Sequence, residues 1–275
     1  MSRDYRVPAG VELLDRQRIE EGLQPSARAL LAELVVADVL DSTNAEVLRR
    51  MKEGAGSGLV CVAEQQTAGR GRRGRNWVSP LASNIYLSLS WEFAGEPAKL
   101  EGLSLAVGVA VAEALRSAGV PGIGLKWPND VLAGGAKLGG ILVEMIAGAD
   151  NTCRVVVGIG LNVNMPQHAI AEIDQSWTDV KTAMGGDVSR NALLISLLDQ
   201  LLPLLDGFEV GGFTPWRERW CGLDAFAGRE VIVTSGEQST AGIARGIDQS
   251  GALVLETALG SQVFHGGEVS VRIVQ

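Results

Sequence analysis

Four arginines and three glycines stand within nine residues, Thr67-Ala68-Gly69-Arg70-Gly71-Arg72-Arg73-Gly74-Arg75. Glycines let a backbone approach a ligand closely. Guanidinium groups offer planar forks of donors matched to carboxylate and phosphate. Such a loop can fold over an anionic ligand, although a solvated surface loop or a nucleic-acid patch would read the same way. A second group is Lys126, Trp127, Asn129 and Asp130, followed by Lys137 at the head of the apolar run 137–144. A cation, an indole, an amide and a carboxylate at strand ends are ligand-binding chemistry. Asn-Asp is also an ordinary turn, and a strand-end lysine is often simply solvated. A third group, Ser42-Thr43-Asn44, opens a helix. Its hydroxyls and amide could bond a polar ligand or only cap the helix, and Thr43 and Glu46 have capping-box spacing.

The elements that must hold these groups follow from hydrophobic period. Strands are expected over 34–39, 59–64, 84–91, 124–126, 137–144 and 155–163. In the third of these, Ile85, Leu87, Leu89 and Trp91 alternate with Tyr86, Ser88 and Ser90, a period of two. Gly134-Gly135 reads as a hairpin turn. Helices are expected over 43–51, over 103–118 ending at Gly119, and over 191–208 with a kink at Pro203. A short one carries Trp216, Trp220 and Cys221. Residues 1–33 read as a lead with two helical pieces, the first punctuated by Val11, Leu13, Leu14 and Ile19, the second running from Ala27 to Leu34. Residues 164–190 read as a loop with short helical pieces. From Phe226 the pattern changes to short alternating segments between Gly-containing turns, the mark of a small antiparallel barrel of about 50 residues. A boundary is expected at 222–227, giving domains 1–225 and 226–275.

Composition narrows the function. The chain has 275 residues, 46% hydrophobic and 20% charged, enough for a sizeable core. A net charge of −8 argues against general nucleic-acid binding, which depends on many phosphate contacts. Against that background the arginine loop stands out. Three distant cysteines, Cys61, Cys153 and Cys221, give neither metal spacing nor a disulfide framework, and the first two read as small core residues. No apolar signal region and no stretch of membrane-spanning length is evident, so a reducing cytoplasm is the expected location.

In series, Asp41-Ser42-Thr43-Asn44, Gln66, Gly69–Trp77, Lys126-Trp127-Pro128-Asn129-Asp130, Lys137–Leu142 and Gly158-Ile159-Gly160-Leu161-Asn162 resemble the biotin–protein ligases in order and spacing. The closing segment, with Arg245-Gly246-Ile247-Asp248 and Gly266-Gly267-Glu268, is similar to that family's C-terminal domain. The resemblance implies an α+β fold. Its catalytic domain would be a mixed sheet flanked by helices, related to class II aminoacyl-tRNA synthetases, followed by a small SH3-like β-barrel. It implies two half-reactions, biotinyl-5′-AMP formation from biotin and ATP, then transfer to one lysine of a biotin carboxyl carrier protein of acetyl-CoA carboxylase. ATP and biotin are then substrates, and Mg²⁺ accompanies ATP, where Asp130 could meet it through water.

The matched positions imply biotin contacts from Ser42, Thr43, Asn44, Gln66, Arg70, Gly71, Arg72 and Lys137. They imply ATP contacts from Arg70, Arg72, Trp77, Lys126, Asn129, Asp130 and Asn162, with Trp177 stacking on adenine. Arg72 and Lys137 are the expected catalytic cations, and Arg245, Glu268 and Arg272 are expected to tie the barrel to the rest. Some family members carry an N-terminal DNA-binding domain; Tyr5-Arg6-Val7-Pro8 resembles the end of its linker, so a ligase without DNA or membrane partners is expected, monomeric or homodimeric. The alternatives are a lipoate–protein ligase or octanoyl transferase of the same fold, and a non-catalytic biotin sensor or transcriptional regulator.

Overall fold

The computed structural model describes residues 11–147, 151–166, 175–267 and 269–274. The segment Tyr5–Pro8, the middle of the 164–180 loop and Glu268 lie outside the described residues. Twelve strands form two sheets among those described. The first contains β1 (Glu33–Leu40), β2 (Leu59–Gln66), β3 (Ile85–Ala94), β4 (Ile123–Lys126), β5 (Asp130–Ala133), β6 (Ala136–Ala147) and β7 (Thr152–Leu161). Its order is β1-β2-β3-β7-β6-β5-β4, with β1 and β2 parallel and every other pair antiparallel. The sheet is therefore mixed, as expected.

Helices cover both faces. On one lies α3 (Thr43–Lys52), whose Val47 and Met51 pack with Leu59, Cys61 and Val156. On the other lie α4 (Leu103–Ser117), buried almost all round, and the long α6 (Arg190–Gly211). This double cover explains β3. A period of two predicts one wet face, yet every residue from Ile85 to Trp91 is buried. The polar alternates Ser88 and Ser90 point to the α3 side, where side-chain and backbone partners satisfy them.

Several boundaries differ from the sequence reading. Residues 11–15 are not helical, and α1 spans only Arg16–Gly22. The next helix, α2 (Pro25–Leu30), stops before β1. The first segment is held instead by hydrogen bonds. Leu14 N donates to the buried Glu64 carboxylate at 2.6 Å, and Glu12 accepts from Arg190 N at 2.6 Å, capping α6. Arg190 pairs with Glu64 at 2.8 Å inside the core, a partnership whose loss would strand a buried charge. Pro203 lies within α6 without ending it. The Thr43–Glu46 capping box does not form. Ser42 is the helix cap residue, Gln66 Oε1 accepts from Thr43 N at 2.9 Å, and Glu46 pairs with Arg50 at 2.7 Å. Between α6 and the second sheet come only the short α7 (Thr214–Cys221), while α5 (Val180–Met184) precedes α6.

The second sheet is wholly antiparallel, ordered β11-β10-β9-β8-β12. Its strands are β8 (Glu230–Ser235), β9 (Gln238–Ile247), β10 (Leu253–Thr257), β11 (Gly260–Phe264) and β12 (Val269–Ile273). It is docked on the first unit: Trp127 Nε1 donates to Gly251 O at 3.0 Å, and Arg217 donates to Ile247 O at 2.8 Å and Asp248 O at 3.0 Å. One apolar core runs through both. Among the described residues no helix is long and apolar enough to cross a membrane.

Candidate active site

Glycines make the floor of the site. Gly140 of β6 pairs with Gly160 of β7, Gly158 pairs with Leu142, and Ser88 of β3 pairs with Gly158. These residues share the α3 face of the sheet. A Cβ on Gly160 would lie 2.5 Å from the Trp77 ring, and one on Gly158 would lie 2.2 Å from Asn44 Oδ1. The missing side chains are thus what admit Trp77 and Asn44. Above this floor is a cavity of about 730 Å³, within the range of small-molecule sites.

One end of the cavity is lined by short polar side chains. Asn44 Nδ2 donates to Glu144 Oε2 at 2.6 Å, and Asn44 Oδ1 accepts from Ser88 Oγ at 2.5 Å. The Asn44 amide is therefore fixed at both ends. Ser88 Oγ also lies 2.7 Å from Thr43 Oγ1, and Gln66 Nε2 donates to Ser79 Oγ at 3.1 Å. Ser42, Thr43 and Asn44 are all buried. Short side chains locked this way present donors and acceptors without having to reorganise.

The arginine loop closes the cavity from above. Its base is anchored to the end of β1 and the start of α3, Thr67 N to Leu40 O and Ala68 N to Asp41 O, both 2.8 Å. It folds on itself, with Gly71 N to Arg75 O at 2.7 Å and Trp77 N to Gly69 O at 2.9 Å. Arg70 reaches Glu144 at 3.4 Å. Arg72 donates to Asn129 Oδ1 at 2.9 Å and also to Gly267 O of the second sheet's turn, so the loop is latched to both units. Asn129 is itself held by Ile141, its Nδ2 donating to Ile141 O at 2.7 Å.

The other end is cationic. Asp130 opens β5 and holds Lys137 at 2.8 Å and Lys126 at 3.5 Å. Lys126 lies over the Phe226 ring at 5.7 Å, and Lys137 over the Trp77 ring at 5.6 Å. Burial pushes the Lys126 ammonium and the Arg72 guanidinium below their ordinary values, and Asp130 pushes each back. Trp77 Nε1 is buried and has no hydrogen-bond partner among the described residues.

Of the residues singled out from sequence, Ser42, Thr43, Asn44, Gln66, Arg70, Gly71, Arg72, Trp77, Lys126, Asn129, Asp130 and Lys137 all line this cavity. Asn162 and Trp177 do not. Asn162 Nδ2 donates to Thr178 O at 3.1 Å, and the strand-like stretch at Ser176–Thr178 runs beside Lys137, whose O accepts from Thr178 N at 2.9 Å. Of the tying roles expected in the barrel, those of Arg245 and Arg272 also fall elsewhere, and Glu268 lies outside the described residues. Arg245 pairs with Glu256 of its own sheet, Arg272 lines the cavity, and the ties come from Trp127 and Arg217. Sequence reading gives no role to Ser88 or Glu144, and it assigns Arg272 to a tie rather than to the cavity wall. No signal in their own strands marks the first two; the register with β7 is what brings Ser88 and Glu144 onto the glycine-bearing face.

Residues 36–162 match the biotin/lipoate A/B protein ligase family, and residues 226–272 match the biotin protein ligase C terminal domain. The bifunctional ligase/repressor BirA of Salmonella typhimurium is 40% identical over 270 residues, which is 98% of this chain and 82% of that protein. The biotin–[acetyl-CoA-carboxylase] ligase of Mycobacterium tuberculosis is 36% identical over 250 residues, 86% of this chain and 88% of that protein. The biotin protein ligase from Aquifex aeolicus, solved in complex with biotin and ATP, superposes with a TM-score of 0.74 at 30% identity, covering 89% of this chain and all of the other. With both matched segments in one chain and relatives of this identity over nearly its whole length, this chain belongs to the biotin protein ligases.

Proposed function

We propose that the chain is an ATP-dependent biotin–protein ligase whose sheet unit, 1–225, carries both half-reactions while the barrel, 226–275, closes the site. The observation that carries the residue roles is the polarity of one cavity, hydrogen-bonding and prearranged at Asn44, cationic at Lys137. Biotin has a ureido group at one end and a carboxylate at the other. Ser42, Thr43, Asn44 and Gln66 would receive the ureido ring, and the glycine floor would pass the apolar chain towards Lys137. Gly71 lets the loop backbone come down over it.

The first step brings two anions together. A biotin carboxylate oxygen attacks the α-phosphorus of ATP, and the bond to pyrophosphate breaks. Lys137, Lys126, Arg70 and Arg72 offset the repulsion, and Lys137 orients the carboxylate. Asp130 acts on ATP through the two lysines it holds, and Asn129 through Arg72. Trp77, whose ring lies beneath Lys137 at 5.6 Å and against Gly160, would flank the bound molecule. Mg²⁺ is expected to arrive on the triphosphate. Asn162 would act by placing the segment that carries Trp177, whose indole would have to turn to meet adenine. In the second step a neutral lysine amine of the carrier attacks the acyl carbon, the carbon–oxygen bond to phosphate breaks, and AMP leaves. No covalent enzyme intermediate is needed, because positioning and charge suffice. The partner is a biotin carboxyl carrier protein, and cytoplasmic location and a monomer or homodimer complete the proposal.

Incubation with ATP, labelled biotin and a carrier domain should release pyrophosphate and label one carrier lysine. A tenfold excess of lipoate should leave that label unchanged. Loss of label to lipoate, or label without pyrophosphate release, would favour the acyl-transferase relatives instead.

A further inference from the structure

This ligase makes a lysine-acylating reagent beside two of its own lysines. Lys126 and Lys137 both line the cavity. The other basic side chains on its wall are arginines: Arg70, Arg72, Arg73, Arg75 and Arg272. A guanidinium stays protonated and is no acceptor for an acyl group at neutral pH. The chain has five lysines against nineteen arginines, and the other three, Lys52, Lys99 and Lys181, are exposed and off the wall. The two site lysines are thus the groups placed to intercept the adenylate.

Both are held by the same carboxylate. Asp130 Oδ1 lies 2.8 Å from Lys137 Nζ and Asp130 Oδ2 lies 3.5 Å from Lys126 Nζ, one oxygen to each amine. The arrangement is rigid, since Asp130 is paired in the sheet with Lys126 on one side and Gly140 on the other. An ammonium hydrogen-bonded to a carboxylate has no lone pair with which to attack. Against this, burial disfavours the charged form of Lys126, and the neighbouring Lys137 and Arg272 act in the same direction. Arg72 also faces Asp130 and competes for its charge.

We propose that Asp130 is a guard: it tethers Lys126 and Lys137, one carboxylate oxygen to each, so that the mixed anhydride made beside them survives until a carrier lysine arrives. Without it, a neutral Lys126 or Lys137 amine would attack the acyl carbon. The bond to phosphate would break, AMP would leave, and the amine proton would pass to water, leaving the site blocked by its own biotinyl amide. Asp130 is a positioning residue in this account, and the inference rests on the ligase reading above.

The test supplies preformed biotinyl-5′-AMP, without carrier, to wild type, Asp130→Asn, Asp130→Ser and Asp130→Glu, and maps adducts by peptide mass. Supplying the adenylate removes any dependence on the first half-reaction. Wild type and Asp130→Glu should show little label on Lys126 and Lys137. The Asn and Ser variants should show on the order of tenfold more there, the scale expected for losing one opposite charge in contact. Label on Lys52, Lys99 and Lys181 should be the same in all four. Adding Lys126→Arg to Asp130→Asn should remove the Lys126 adduct. The proposal is overturned if the Asn and Ser variants label Lys126 and Lys137 no more than wild type. It is equally overturned if their label spreads evenly over all five lysines, which reports loss of fold. Wild-type labelling of a carrier from biotin and ATP, run alongside, separates the two ideas: if that fails, the ligase reading is at fault.

Discussion

At the scale of single residues, the site depends on side chains held before any ligand arrives. Asn44 is bonded at both ends, and Arg72 is bonded to Asn129 and to the Gly267 carbonyl. The second contact gives Arg72 a task besides charge, because it pins the loop to the barrel's turn. Arg72→Gly should therefore loosen the lid more than it slows chemistry. Adenylate should escape at least about tenfold faster, the effect of losing roughly 1.5–3 kcal/mol of charge-assisted hydrogen bonding. Bystander lysines added to the reaction should become labelled. Release at the wild-type rate, measured by filter separation of free adenylate, would contradict the latch. The arginines were legible in the sequence because so many in an acidic chain need a reason. Ser88 and Glu144 were not, since nothing in their own strands singles them out, and the worth of each appears only when Asn44 arrives from another element.

At the scale of elements, β6 and β7 do their work by lacking side chains. The hydrophobic period located both strands and the hairpin between β5 and β6, where Gly134 and Gly135 take φ of 57° and 84°. What sequence spacing cannot give is which face a glycine opens. The register supplies it, Gly140 opposite Gly160 and Leu142 opposite Gly158. A methyl group on Gly158 would meet Asn44 Oδ1 at 2.2 Å. Gly158→Ala should therefore displace Asn44 at a cost of about 1–3 kcal/mol. Biotin affinity should fall by on the order of tenfold to a hundredfold, with ATP affinity nearly unchanged, as titration calorimetry can show. Equal losses for both ligands would mean that the floor, and not the ureido end, had been disturbed. The N-terminal lead was misread for a related reason. Apolar residues at 11, 13, 14 and 19 fit a helical stripe, but backbone bonds to Glu64 and caps on α6 hold 11–15 extended.

At the scale of the whole molecule, three separate parts meet at one cavity: the sheet with its glycine floor, the arginine loop, and β12 of the barrel with Arg272. The change of pattern near Phe226 marked the barrel, but only the fold shows that it forms a wall. The sequence assigns ties to Arg245 and Arg272, whereas Trp127 and Arg217 do the tying from the other side. On the proposed reading, the assembled molecule brings a carboxylate and a triphosphate into contact under fixed positive charge, with Lys137 at the meeting point. The most direct measurement is single-turnover pyrophosphate release from saturating ATP and biotin, comparing wild type with Lys137→Ala. The account predicts a rate lower by about 10²–10³, the usual consequence of removing one preorganised charge-stabilising donor. The variant should still bind biotin and should keep whatever adenylate it makes. A variant that released pyrophosphate as fast as wild type would show that the cations at this end of the cavity do not drive the joining of the two anions.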